Sequence, residues 1–141
     1  MNYRLSVCSV RTKGRHGYVI EADGRSLVTQ VSGITSVNLK KDILEVLSKA
    51  LRALKPLVYH EDLVAIEIQN IHLQQWLSGL VDYKDYSEEL DKVFEVLESI
   101  DCRYRFIFKP EPYAKGIVLQ TELDKSTFGG FSVEDMVKEF K

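Results

Sequence analysis

The spacing of apolar residues changes character near residue 37, and that change limits the folds open to the chain. Before it, apolar residues alternate with period two; after it, they return every three or four positions. Tyr3, Leu5 and Val7 share one face of residues 3–10 (YRLSVCSV), the pattern of a half-buried strand. Residues 12–17 (TKGRHG) are basic and glycine-punctuated and read as a loop. Residues 18–22 form a second strand, and Asp23-Gly24 a hairpin turn, because type I′ turns need residues that tolerate positive φ. Residues 27–31, running on toward 36, return as a third. Three strands joined by tight turns make an antiparallel meander.

Helical spacing follows. Leu39, Ile43, Val46, Leu47, Ala50, Leu51 and Leu54 form one stripe, with Asn38 as N-cap and Pro56 as the stop. Residues 63–69 (LVAIEIQ) are apolar almost throughout, as suits a strand covered on both faces and placed at the centre of a sheet. A short helix is expected over 71–80, burying Trp76, Leu77 and Leu80. Ser87 caps a longer helix with the stripe Leu90, Val93, Phe94, Leu97 and Ile100; Glu88 and Glu89 in its first turn suit the helix dipole. Residues 104–108 are a fifth strand. Pro110, Pro112, Gly116 and Gly129-Gly130 make 109–131 a long irregular segment, with 117–123 open to a strand or a turn of helix. Ser132 caps a last helix carrying Val133, Met136, Val137 and Phe140.

Composition excludes some roles. A chain of 141 residues with 45% apolar and 28% charged residues is the size of one domain with a sizeable core. Its apolar runs fall far short of the roughly 20 residues that cross a bilayer, and charge within the first five residues argues against a signal peptide. Two cysteines, Cys8 and Cys102, make no disulfide framework or zinc spacing. The expectation is a cytoplasmic protein with no membrane segment. Nineteen basic against 21 acidic residues give a net charge of -2, unlike the basic balance of proteins that grip phosphate backbones.

The stretches LSKALRALK, IEIQNIHLQQWL and LDKVFEVLESIDCRYRFIFK carry the order β-β-β-α-β-α-α-β-(loop)-α. That order resembles the ribonuclease H fold: a mixed five-stranded sheet with helices on both faces, here over residues 1–141 as a single domain. The crossover from the third strand through 39–55 to the fourth would be right-handed, as such units are. The resemblance implies phosphodiester cleavage by two metal ions held by carboxylates from the first strand, the first helix, the end of the fourth strand and the last helix, since Mg²⁺ takes oxygen ligands.

The residues depart from that pattern. The first strand offers Val7, Cys8, Ser9 and Val10 where an Asp would stand, and the fourth strand ends in Gln69-Asn70. The first helix places Ile43 at the glutamate position, with Asp42 and Glu45 beside it; only Glu134 and Asp135 remain in the last helix. Uncharged amides would leave two Mg²⁺ ions repelling each other. The expectation is therefore no catalytic residues and no metal or other cofactor: a catalytically inactive binding or regulatory module, with another protein as partner. Two alternatives stand beside it. One is a divergent Mg²⁺-dependent nuclease using a displaced cluster of Glu67, Asp42 or Glu45, and Asp135. The other is weak RNA or DNA binding through Arg11, Lys13, Arg15 and Arg105. Tyr113 and Phe128, between prolines and glycines, are the partner-binding candidates. His16, His60 and His72 are expected on the solvated surface, and Cys8 and Trp76 in the core.

Overall fold

The computed structural model describes residues 1–79 and 85–124. Five strands, β1 (Asn2–Val10), β2 (Arg15–Ala22), β3 (Arg25–Gly33), β4 (Leu63–Ile68) and β5 (Arg103–Phe108), form one sheet in the order β3-β2-β1-β4-β5. The meander β1-β2-β3 is antiparallel, whereas β4 pairs parallel with both β1 and β5. The mixed sheet is as expected, but its centre is β1. β4 lies one place off centre, flanked by a strand on each side; its buried apolar residues Val64, Ile66 and Ile68 share one face, and Glu67 lies on the other.

Strand alternation divides the core in two. Tyr3, Leu5 and Val7 point to one face and join Ile20, Ile66 and Ile68 under helix α1 (Leu39–Leu54) and helix α3 (Ser87–Glu98). Leu5, Val7, Ile66 and Ile68 are fully buried. On the opposite face Cys8, Val10 and Val19 pack against Ala114 and Val118 of helix α4 (Tyr113–Asp124). Gly17 allows this approach: a Cβ there would lie 2.6 Å from the Gln30 carbonyl oxygen and 3.0 Å from Val118 Cγ2. The Asp23-Gly24 turn has positive φ at both residues, 54° and 74°, as a type I′ hairpin requires. Asn38 caps α1 by accepting from the Lys41 amide, and Asn70 caps helix α2 (Ile71–Leu77) by accepting from Leu73.

Several expectations need correction. β2 begins at Arg15 and not at residue 18, because a single 3-10 turn over Arg11–Lys13 and Gly14 in the left-handed region reverse the chain. α3 is entered from Tyr86 at φ 62°, with Ser87 already helical and offering no cap bond. Trp76 is half-buried, its ring 6.1 Å from that of Tyr86 and covered by the Lys40 ammonium at 5.6 Å. The segment 109–131 is not irregular throughout, since α4 occupies 113–124 of it. Its first amides are satisfied from the sheet: Tyr113 donates to Glu67 Oε1 at 2.9 Å and Ala114 to Ser6 Oγ at 2.8 Å. The expected helix after Ser132 and the residues Leu80, Phe128 and Asp135 lie outside the described residues.

Two substitutions check this account in chemical denaturation. Ile66→Ala should cost about 2–5 kcal/mol through the cavity it leaves, whereas Leu27→Ala on the exposed edge should change stability little. Glu67→Ala should cost about 0.5–2 kcal/mol as the loss of a helix cap and speed amide exchange at Tyr113. Glu67→Gln, which keeps an acceptor, should recover part of that loss.

Candidate functional site

At the upper ends of β1 and β2, the start of α1 and the end of β4, polar side chains converge on one carboxylate. Asp42 sits on the apolar face of α1, one turn before Val46, and its side chain is fully buried. Its Oδ2 accepts from Ser9 Oγ of β1 at 2.5 Å. Its Oδ1 accepts from His16 Nδ1 of β2 at 3.0 Å and from the Thr35 amide and hydroxyl at 2.8 and 3.1 Å. The Arg11 guanidinium closes the group at 3.6 Å from Oδ2. Three of these four hydrogen bonds fall on Oδ1 and one on Oδ2, where the guanidinium adds its charge. Gln69, just past β4, is held by Ser9 on both sides of its amide: it accepts from the Ser9 amide at 2.5 Å and donates to the Ser9 carbonyl at 3.1 Å.

Electrostatics follow from this enclosure. Burial alone would push the Asp42 carboxyl up, but the bonds from Ser9, Thr35 and His16 outweigh it and hold its pKa below the ordinary 3.8. Burial pulls His16 below 6.5, although Asp42 opposes that shift. The neutral imidazole donating from Nδ1 fits both directions. Its Nε2 is then a bare lone pair, buried with no hydrogen-bond partner, whereas an imidazolium would strand an N–H there. His16 is thus a core residue and not a surface one. Its place in the alternation His16, Tyr18, Ile20, Ala22 carried that signal. His60 and His72 are exposed as expected.

The candidate carboxylates do not meet. Glu67 pairs in register with Ser6, on the α4 side of the sheet, while Asp42 reaches Ser9 on the α1 side. Glu67 is buried between Arg4 at 3.6 Å and Lys109 at 3.4 Å, besides capping α4. Glu45 is exposed on α1, and Asp135 is outside the described residues. Among the described residues no three His, Cys, Asp or Glu side chains gather as a metal site. The donor set around Asp42 does not fit Mg²⁺ either. It offers one carboxylate whose two oxygens already accept hydrogen bonds, a hydroxyl and an amide already engaged, and a guanidinium 3.6 Å from Oδ2 that would repel a cation.

The other candidates are dispersed. Arg11 is committed to Asp42 and Ser9, Lys13 is exposed beside it and Arg15 is half-buried at the start of β2. Arg105 is exposed on β5, at the far edge of the sheet. Tyr113 is 40% exposed, with the Arg4 guanidinium 4.9 Å from its ring centre. Cys8 is a core residue as expected, its thiol pushed up to about 12 by burial. Sequence reasoning weighed Asp42 as a metal ligand and missed Thr35 and His16 as its partners. An acid on the apolar stripe of α1 was the available sign that it is buried.

No protein-family model and no curated protein matches the chain. Solved structures do. LC11-RNase H1, isolated from compost by a metagenomic approach, aligns with a TM-score of 0.64 at 15% identity over 99% of each chain. The RNase H1 of the halophilic archaeon Halobacterium salinarum gives 0.59 at 16% identity, over 77% of this chain and 84% of that one. The N-terminal RNase H domain from Mycobacterium tuberculosis gives 0.61 at 13% identity, over 77% and 82%. A further LC11-RNase H1 structure is a complex with an RNA/DNA hybrid. The chain has a ribonuclease H-like fold.

Acid should weaken this cluster in a defined order. A His16 pKa below 6.5 in the folded state means that the unfolded chain binds its proton first. Stability is complete above about pH 6.5 and falls as pH drops from there toward the folded value. The depressed Asp42 adds a second loss below about 3.8, as pH falls through its folded pKa. Urea melts at stepped pH should show both limbs in the native protein. In His16→Gln the upper limb should be missing, whatever the absolute stability.

Proposed function

We propose that the chain is a ribonuclease H-like domain that works by binding and not by metal-dependent hydrolysis, and that its partner is another protein. One observation carries the first half: the buried carboxylate at the convergence of β1, α1 and β4 has four hydrogen bonds and an arginine around it. Hydrolysis through two ions needs several open carboxylate oxygens facing one cavity. Here another buried acid, Glu67, lies across the sheet, bound to a helix start and two cations.

The protein partner is supported by what the far edge of the sheet exposes. β5 ends the sheet, with Tyr104 40% and Phe108 38% exposed beside Arg103 and Arg105, and Tyr113 follows at the start of α4. Aromatic and arginine side chains are the usual anchors of protein interfaces, and among the described residues no strand pairs the outer edge of β5, so backbone groups there can meet an extended segment. Nucleic-acid binding is weak in this reading, because a net charge of -2 gives little long-range attraction to phosphate and Arg11 is already engaged. A reducing, cytoplasmic setting accords with the free thiols Cys8 and Cys102.

Purified protein with Mg²⁺ or Mn²⁺ should leave an RNA/DNA hybrid, single-stranded RNA and duplex DNA uncut. Cleavage abolished by Asp42→Asn or Glu67→Gln would overturn the reading. Hybrid binding should vanish by roughly physiological salt, where non-specific Kd values lie near 10⁻⁴–10⁻⁶ M. Retention of a protein partner should drop in Tyr104→Ala/Tyr113→Ala. Sub-micromolar hybrid binding that survives such salt would put nucleic acid in the partner's place.

A further inference from the structure

The far ends of α1 and α3 enclose a cleft of about 420 Å³ lined by Arg52, Lys55, Lys92, Glu95, Val96 and Ser99. It lies well away from Asp42: ten residues of helix separate Asp42 from Arg52, about 15 Å at 1.5 Å per residue. Three cations and one carboxylate give the lining a formal charge of +2, on a chain whose net charge is -2. Some cations elsewhere are paired, Arg4 with Glu21 and Glu67, Lys41 with Glu89, Lys109 with Glu67 and Lys115 with Glu111, but the cleft brings three together with one carboxylate. Arg52, Lys55 and Lys92 have no hydrogen-bond or ion-pair partner among the described residues, and Glu95 in the same cleft does not engage them.

Helix dipoles account for part of this. Arg52 lies in the last turn of α1 and Lys55 at its C-cap, where a cation is favoured. Lys92 lies six residues before the end of α3, beyond the single turn over which that effect acts. Three like charges facing one concavity repel, and a concave wall focuses their field. An anion relieves both. The donors available select its class: a guanidinium presents a two-pronged fork that matches phosphate, and ammonium groups add point charges. Ser99 Oγ already donates to the Val96 carbonyl at 2.6 Å, so the cations must supply the contacts. The lining holds no aromatic side chain, which leaves a nucleobase nothing to stack on.

We propose that this cleft is a binding site for a compact phosphate anion, of the di- or triphosphate class, recognised through Arg52, Lys55 and Lys92. The source is either a free polyphosphate or the phosphate chain of a nucleotide. The site is independent of the reading of the Asp42 centre.

Titration of the labelled protein with pyrophosphate at constant ionic strength, followed by amide chemical shifts, tests it. Saturable shifts centred on 52–55 and 92–99 are expected. Arg52→Gln and Lys92→Gln should each weaken binding roughly tenfold, the worth of one charge-assisted hydrogen bond. Arg105→Gln on β5 should leave it unchanged. Tripolyphosphate and a nucleoside triphosphate should bind within about threefold of each other if the phosphates alone are read. Binding of the nucleoside triphosphate without the inorganic one would overturn the assignment of ligand class. Shifts that never saturate, that spread over all surface lysines, or that weaken equally in Arg105→Gln mean an adventitious ion only and overturn the site. Thermal melts verify folding of each variant, and Arg52→Lys, which keeps the charge, should retain more binding than Arg52→Gln.

Discussion

Asp42 fastens the start of α1 to the end of the meander, whose strands are themselves paired there by backbone ladders. Ser9 comes from β1, His16 from β2, Thr35 from the chain leaving β3, and Asp42 itself from the first turns of α1. Its partners lie 33, 26 and 7 residues away in sequence. A buried charge is tolerated only when its hydrogen bonds are complete, so the packing of α1 on the meander and the completeness of this group are one condition. Removing any one partner would leave the carboxylate short of a donor while still out of water, and that asymmetry makes such groups specify a single arrangement.

The sheet separates two acids into two different jobs. Because side chains alternate across a strand, Ser9 and Ser6 of β1 point to opposite faces, and each receives one of the two acid-centred systems. On the α1 side the charge is enclosed by neutral donors and one arginine. On the α4 side Glu67 sits at a helix start, where the dipole and the free amides favour a negative charge, with Arg4 and Lys109 above it. Local sequence spacing placed Asp42 and Glu67 within reach of a shared cluster only while the face of each was unknown.

How much was legible follows the range of the forces involved. Strand alternation, the Asp23-Gly24 turn and the stripe of α1 are local, and each appears where the sequence placed it. α4 was legible only as one of two choices over 117–123, because its first amides are satisfied by residues 46 and 108 positions away and its own pattern, broken by Gly116, gives almost no amphipathic signal. His16 was misread because a basic glycine-flanked stretch looks like a loop. Only its tertiary bond to Asp42 makes a buried imidazole acceptable. Tyr86 in the left-handed region is likewise a tertiary choice, with its hydroxyl accepting from Asn38 Nδ2 at the cap of α1.

The same reasoning explains why a ribonuclease H-like fold is compatible with a centre of this composition. An acidic centre built to hold two divalent ions is strained without them, since several carboxylates a few ångströms apart repel in a poorly hydrated pocket. Around Asp42 no such repulsion arises from Ser9 or Gln69: Ser9 gives it a proton donor, and Gln69 seals the end of β1 through two bonds to its backbone. The arrangement around Asp42 tolerates single changes poorly. A carboxylate at position 9 alone would face Asp42 across a buried gap, and one at position 69 would lose the amide donor that the Ser9 carbonyl now accepts from. Either change would add a buried charge or leave a buried acceptor without its donor, and each carries a cost.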